Sequence, residues 1–193
     1  MSEEVWKEIP SPYKKSRVQP HAKVELYDLS MYEASNLGNV RNKHTKHVLS
    51  KKARGKKREY SHVGLSVPNI NGKKHSEDFK LSRIIAHTFI KNPQDKPYVD
   101  HINRNKKDDR VVNLRWVTQR ENTANQGPRR GRKYKGVYRR SYHNQDGTRV
   151  IFYVGSVAGH YVGSFYNEEE AAKAVDFKSK ELYGHYAVLN YEN

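Results

Sequence analysis

None of the 193 residues is cysteine. That excludes disulfides, thiolate zinc sites and a cysteine nucleophile, and leaves nothing that calls for an oxidising compartment. The opening Met1-Ser2-Glu3-Glu4 lacks the positive start and apolar stretch of a secretory signal. Apolar runs long enough to span a bilayer are also missing. We therefore expect a cytoplasmic protein that is not secreted and has no membrane partner. Hydrophobic residues make up only 35% of the chain, below the level of an ordinary globular domain. Several small packed units with long charged surfaces are expected rather than one large core.

What the chain has in excess is positive charge, a formal +16 at pH 7. A polyanion partner follows, because neutralising phosphates releases their condensed counterions. The excess is not evenly spread. Residues 1–133 hold 30 Lys/Arg against 14 Asp/Glu, whereas residues 134–193 hold 7 against 7. The densest stretch, Lys51 to Arg58, is read as a solvated basic loop.

Residues 1–50 carry short apolar–polar alternations broken at Asn36-Leu37-Gly38, which predict a small β module with a tight turn and Trp6, Tyr32 and Val40 in its core. Two strands over 60–67 and 75–81, turned at Asn71-Gly72, predict a hairpin. A short helix over 81–90 follows, with Leu81, Ile84, Ile85 and Phe89 on one face. His87 lies off that stripe and is read as a buttress of the fold. His44 and His47 lack a third ligand nearby and are read as surface residues.

Chemistry concentrates between residues 97 and 126. Tyr98-Val99-Asp100-His101 and Leu114-Arg115-Trp116-Val117 read as two strands. Thr118-Gln119-Arg120-Glu121 is a capping box that opens a helix, ended before Gly127-Pro128. Histidine is the side chain whose unperturbed pKa suits a general base near neutral pH, and His101 is the candidate. Asp100 and Asn122 offer one carboxylate and one amide oxygen, hard donors suited to a single Mg²⁺ or Mn²⁺. Arg104, Lys106, Lys107 and Arg110, in the loop between the strands, are candidate phosphate contacts. Asp109 is read as stabilising that loop, and Asp108 is given no role.

This order and spacing resemble the HNH nuclease family and its ββα-metal motif. The resemblance implies that His101 is the general base and that Asn113 ties the loop so that His101 points at the attacking water. It implies metal ligation by Asp100 and Asn122, with Asn at the last position as in the phage homing-nuclease branch. The Trp6…Ile9-Pro10…Tyr32…Ser35-Asn36…Gly38…Val40-Arg41 order is similar to a module at the N-termini of phage HNH homing nucleases. A bacterial or phage-infected cell is the implied setting.

Residues 127–133 read as a basic linker in which Arg129, Arg130 and Arg132 are candidate DNA contacts. Strand-like runs at 136–142, 149–154 and 160–166 follow, with turns at Asp146-Gly147 and near Gly159. A helix then runs from an Asn167 cap to Tyr183, ended by Gly184, with Ala171, Ala172, Val175 and Leu182 facing the sheet. Gly136-Val137, Tyr153-Val154-Gly155, Val162-Gly163-Ser164-Phe165, Glu170-Ala171-Ala172, Asp176 and Ala187-Val188-Leu189-Asn190 resemble the ethylene-response-factor (Apetala-type) DNA-binding domain. The family's strand tryptophans are absent, with Tyr142, Phe152 and Tyr153 near their places. The resemblance implies a sheet face in the major groove, carrying Arg139, Arg140, Tyr142 and Arg149, and an acidic helix turned away.

The expected architecture is therefore α+β. It comprises an N-terminal β module (1–50), a nuclease domain (51–126, ββα core 97–126), a linker (127–133), and a three-stranded antiparallel sheet packed on one helix (134–193). The expected activity is site-specific, metal-dependent cleavage or nicking of double-stranded DNA by a monomer. The competing reading is a non-catalytic DNA-binding regulator that uses the C-terminal domain. A basic RNA-associated protein is a third, disfavoured because A-form RNA hides its major groove.

Overall fold

The computed structural model describes residues 3–15, 25–54, 59–68 and 74–191. Strands run in chain order as β1 Trp6–Glu8, β2 Tyr13–Lys15, β3 Glu25–Tyr27, β4 Tyr32–Ser35, β5 Val40–Asn42, β6 Lys52–Arg54, β7 Tyr60–Pro68 and β8 Lys74–Lys80. Helix α1 (Leu81–Phe89), β9 (Tyr98–His101), β10 (Leu114–Val117) and helix α2 (Gln119–Ala124) follow. The chain closes with β11 Val137–His143, β12 Arg149–Val157, β13 His160–Phe165 and helix α3 (Glu168–Tyr183). Small antiparallel sheets and few helices make an α+β protein. No helix among the described residues is long and apolar enough to cross a membrane. Packing divides the chain into two compact units, Met1–Thr118 and Gln119–Asn193.

The first unit is built on period-2 and period-3.6 patterns that meet in one core. Alternate residues of β7 (Val63, Leu65, Val67) are buried, as is the Leu81, Ile84, Ile85 stripe of α1. Each such side chain contributes about 1.5–3 kcal/mol on full burial. Ile9, Leu29, Tyr32 and Val40 from the N-terminal module and Leu114 from β10 enter the same cluster, so the packing runs across the expected division at residue 50. β6, β7 and β8 form one sheet and β1, β4 and β5 another. The expected turn at Asn71-Gly72, and Gly55 to Arg58 of the basic run, lie outside the described residues. Trp6, expected in the core, is only half-buried, and the Arg41 guanidinium lies 4.1 Å from its ring centre. His87 does buttress the fold: its ring meets Tyr13 edge-on at 5.0 Å.

The turn at Asn36–Gly38 forms as expected. The Gly38 N–H donates to Ser35 O at 3.0 Å, and Gly38 holds φ +81°. A Cβ there would lie 2.9 Å from the carbonyl carbon and oxygen of Asp109. Only glycine allows both the backbone angle and the approach.

In the second unit β11, β12 and β13 form an antiparallel sheet against which α3 lays Ala171, Ala172 and Val175. Asn167 caps α3, its Oδ1 accepting from the N–H groups of Glu169 and Glu170. Gly184 ends the helix at positive φ. Leu182, expected on the packed face, is 40% exposed in the last turn; Ser179 and Tyr183 take the inward positions there. The C-terminal segment is clamped by the buried Asp176 carboxylate, which accepts from Asn190 N–H (2.8 Å), Asn190 Nδ2 (2.9 Å) and Tyr191 N–H (2.9 Å). The six-residue α2 groups with this unit: Ala124 O accepts from Val188 N–H at 3.1 Å and from the Lys135 ammonium.

Candidate active site

β9 and β10 pair antiparallel with His101 opposite Leu114 and Asp100 opposite Arg115. Leu114 anchors the pair in the core, and the register follows from that anchor. Successive residues of a strand point to opposite faces, yet Asp100 and His101 are both buried, at 7% and 4% exposure. Arg115 reaches its cross-strand partner, placing Nε and Nη2 each 3.0 Å from Asp100 Oδ2.

The loop between the strands is a hydrogen-bonded frame centred on Asn113. Its Oδ1 accepts from Asn103 N–H at 2.9 Å, its Nδ2 donates to Asp108 O at 2.8 Å, and its own O accepts from Ile102 N–H at 2.8 Å. Arg104 sits in the left-handed region at φ +63°, with its N–H donating to His101 O at 2.8 Å. Asn113 thus ties the two ends of the loop together. It does not itself hold the imidazole.

That contact belongs to Asp109. His101 Nε2 lies 3.0 Å from Asp109 Oδ1, with both side chains buried. The second Asp109 oxygen is buried without a hydrogen bond, so the carboxylate is committed to the ring alone. The backbone beside it is braced from the N-terminal module by the close approach of Gly38 and by Val111 N–H donating to Asn36 O at 2.9 Å. Sequence reasoning saw Asp109 only as a loop stabiliser. Two adjacent acids in a loop carry no periodicity that tells which one points inward. Asp108, its neighbour, is half-buried and takes the fork of Arg110, Nε to Oδ1 and Nη2 to Oδ2 at 2.7 Å each. That pairing holds the Asp108 carboxyl down to about 2.

Cations surround this frame unequally. Arg104 and Lys107 are exposed. Lys106 is held by Glu59 at 2.6 Å, and Arg110 by Asp108. Lys80, which the sequence did not single out, stands 3.6 Å from the centre of the Tyr60 ring, and that ring lies 6.2 Å from the His101 ring. Burial, and then the nearby Arg83 charge, lower the Lys80 ammonium to about 8, with Asp109 acting the other way.

Asn122 lies half-buried on α2 in the second unit, and Arg129, Arg130 and Arg132 are exposed in the stretch that follows. On the C-terminal sheet, register separates the expected DNA-facing residues. Arg139 pairs with Tyr153, which packs toward α3, whereas Arg140 pairs with Phe152 and Tyr142 with Val150. Alternation therefore puts Arg140, Tyr142, Phe152 and Tyr138 on the face away from α3. Arg139 and Arg149 take positions of the opposite parity, Arg149 Nη2 donating to Ser141 Oγ at 3.2 Å. Of the three arginines, only Arg140 stands on the open face.

Among the described residues no three His, Cys, Asp or Glu side chains cluster so as to hold a metal ion. Of the two oxygen donors expected from the sequence, the Asp100 carboxylate belongs to the first unit and the Asn122 amide to the second; oxygen donors of this kind suit a hard divalent cation that keeps several waters.

Residues 92–124 match the family model described as HNH endonuclease. This segment contains Asp100, His101, Asp109, Asn113 and Asn122. The chain is 37% identical over 121 residues to an uncharacterised HNH endonuclease, L247, of Acanthamoeba polyphaga mimivirus, a match covering 62% of this chain and 25% of that protein. A second from the same virus, L245, is 36% identical over 63 residues, covering 33% of this chain and 18% of that one. The matches thus span about a quarter or less of the length of these curated relatives. A solved structure titled "DNA binding and cleavage by the HNH homing endonuclease I-HmuI" aligns with a TM-score of 0.46 at 28% identity, covering 63% of this chain and 57% of that one.

Proposed function

We propose that the protein is a metal-dependent DNA endonuclease of the HNH homing type, in which His101 is the general base. The observation that carries this reading is the buried His101–Asp109 pair beside Asp100, inside the segment that matches HNH endonucleases. Phosphodiester hydrolysis requires a water made nucleophilic, a phosphate turned toward it, and relief of the charge gathering on the phosphate oxygens.

Asp109 holds the imidazole at Nε2 and fixes its tautomer. The proton of the attacking water is taken at Nδ1, the nitrogen that Asp109 does not hold. The water oxygen bonds to phosphorus, the bond from phosphorus to the 3′-oxygen breaks, and that oxygen takes a proton from solvent. A positioned base of this kind contributes about 10²–10⁴-fold. Asn113 keeps the loop closed so that the ring cannot swing away. Asp100, with Asn122 as the second oxygen donor, would hold Mg²⁺ or Mn²⁺, which when bound supplies positive charge to the phosphate oxygens. Arg104 and Lys107 are exposed and placed for backbone phosphates. The C-terminal unit, with its ethylene-response-factor-like sheet, is proposed to read sequence through its open face. The net charge in residues 1–133 supplies sequence-blind attraction to double-stranded DNA.

The test is incubation of supercoiled plasmid with the full chain, in Mg²⁺ and in excess EDTA. Relaxed or linear product that forms only with the metal is expected. Intact plasmid in both, with the DNA still bound, would favour a non-cleaving DNA-binding protein.

A further inference from the structure

The second unit carries a half-open cavity of about 390 Å³ that the cleavage chemistry does not use. Its polar lining is one-sided. Arg120, Arg129, Arg132 and Lys135 line it, together with Tyr134 and Tyr138, and no Asp or Glu does. Arg120, Arg129 and Arg132 make no ion pair among the described residues. Arg120, Arg129 and Arg132 are exposed at its rim, and three unneutralised cations around one concavity make a potential that favours an anion there. The Arg132 guanidinium already lies over the Tyr138 ring, 4.3 Å from its centre. The Tyr134 hydroxyl is engaged by Tyr191 at 2.8 Å, which fixes that ring in place as a wall. Val157 and Val175 add apolar surface. The volume lies at the lower end of ligand pockets, about 300–1,000 Å³. That exceeds a bare phosphate and suits a ligand with an anionic end and a flat, mostly apolar end.

We propose that this cavity binds a single nucleotide, its phosphate on Arg129 and Arg132 and its base against Tyr138. Arginine recognises phosphate through paired N–H donors, and base stacking on tyrosine is tolerant of sequence. The same chemistry comes from two sources: a free nucleoside 5′-phosphate, or a nucleotide extruded from DNA bound to this chain. The second source rests on the DNA-binding reading above; the first does not.

The experiment uses the full chain and reads binding, not cleavage, so its outcome is separate from that of the endonuclease reading. Calorimetric titration compares the four deoxynucleoside 5′-monophosphates with inorganic phosphate and deoxyadenosine. In parallel, duplexes carrying 2-aminopurine are scanned for a fluorescence rise on binding. Arg132→Ala and Tyr138→Leu are examined after circular dichroism confirms that they fold. A free-nucleotide site predicts that monophosphates bind at least roughly tenfold more tightly than phosphate or nucleoside, and that each substitution weakens them by about tenfold. An extrusion site predicts a 2-aminopurine rise at one or a few positions that Tyr138→Leu abolishes. Either result supports the proposal. It is overturned if monophosphates bind no better than phosphate and no position brightens, or if both substitutions leave the signals unchanged.

Discussion

Replacing Gly38 by alanine tests whether the N-terminal module sets the geometry of a site far along the chain. Two costs arise. At φ +81° an alanine pays about 1–2 kcal/mol for the left-handed backbone. Its Cβ would also stand 2.9 Å from the Asp109 carbonyl atoms and 3.2 Å from the Asp109 Cβ. Ordinary contact begins near 3.4 Å, so the Asp109 backbone must retreat by about half an ångström, an overpacking cost of about 1–3 kcal/mol. Together these predict a loss of about 2–5 kcal/mol in urea unfolding. The retreat also draws Asp109 Oδ1 from its 3.0 Å approach to His101. Small misplacements at a reacting centre cost up to about 10²-fold in rate, so single-turnover cleavage at a temperature where the variant is folded should fall at least roughly tenfold. Gly147→Ala is the control: its φ is +83° with nothing within 4 Å of the added carbon. That variant should lose only the backbone cost and cleave normally. Unchanged cleavage by folded Gly38→Ala would refute the idea that this turn braces the His101–Asp109 pair.

Asp109→Ala should lower the single-turnover rate by about 10²–10⁴-fold, the contribution of an oriented base, with DNA affinity nearly unchanged. Asp109→Asn, which can still accept at Oδ1, should recover part of the loss, and equal rates for both variants would contradict an orienting role. Asp100→Ala and Asn122→Ala should each raise the Mg²⁺ concentration needed for half-maximal cleavage or abolish cleavage; unchanged metal titrations would remove both from the ligand set. Lys80, lowered to about 8 by burial, binds fewer protons in the folded chain than in the unfolded one between about pH 8 and 10.4. Its contribution to stability therefore rises with pH across that window. Lys80→Met should flatten the rise relative to the parent chain in urea unfolding at stepped pH, and parallel profiles would show that burial does not perturb this amine.

Local patterns were legible where one residue's neighbours decide its fate. The α1 stripe, the hairpin of β7 and β8, the three C-terminal strands and the Asn167 and Gly184 ends of α3 all follow from periodicity and capping. Asp100, His101 and Asn113 were legible from spacing, and Arg115 was within reach, since a register that pairs His101 with Leu114 must pair Asp100 with Arg115. Asp109 was not legible, because its role depends on a contact with His101 across a loop and on backbone packing against Gly38. Trp6 and Leu182 misled for the opposite reason: each is apolar and in phase, but Trp6 finds a guanidinium over its ring and Leu182 falls in the last turn, where Ser179 and Tyr183 point inward. The ethylene-response-factor resemblance, with the charge balance agreeing, also placed Arg139, Arg140 and Arg149 together. Strand alternation, combined with the inward packing of Tyr153, separates them.

The most direct test of the account is His101→Ala, measured for DNA binding and for single-turnover cleavage on the same duplex in Mg²⁺. A base acts in the chemical step and contributes nothing to counterion release. Cleavage should therefore fall by about 10²–10⁴-fold while affinity and its salt dependence stay those of the parent chain. Cleavage at the parental rate, or a loss of cleavage matched by an equal loss of binding, would contradict the assignment of His101 as the base.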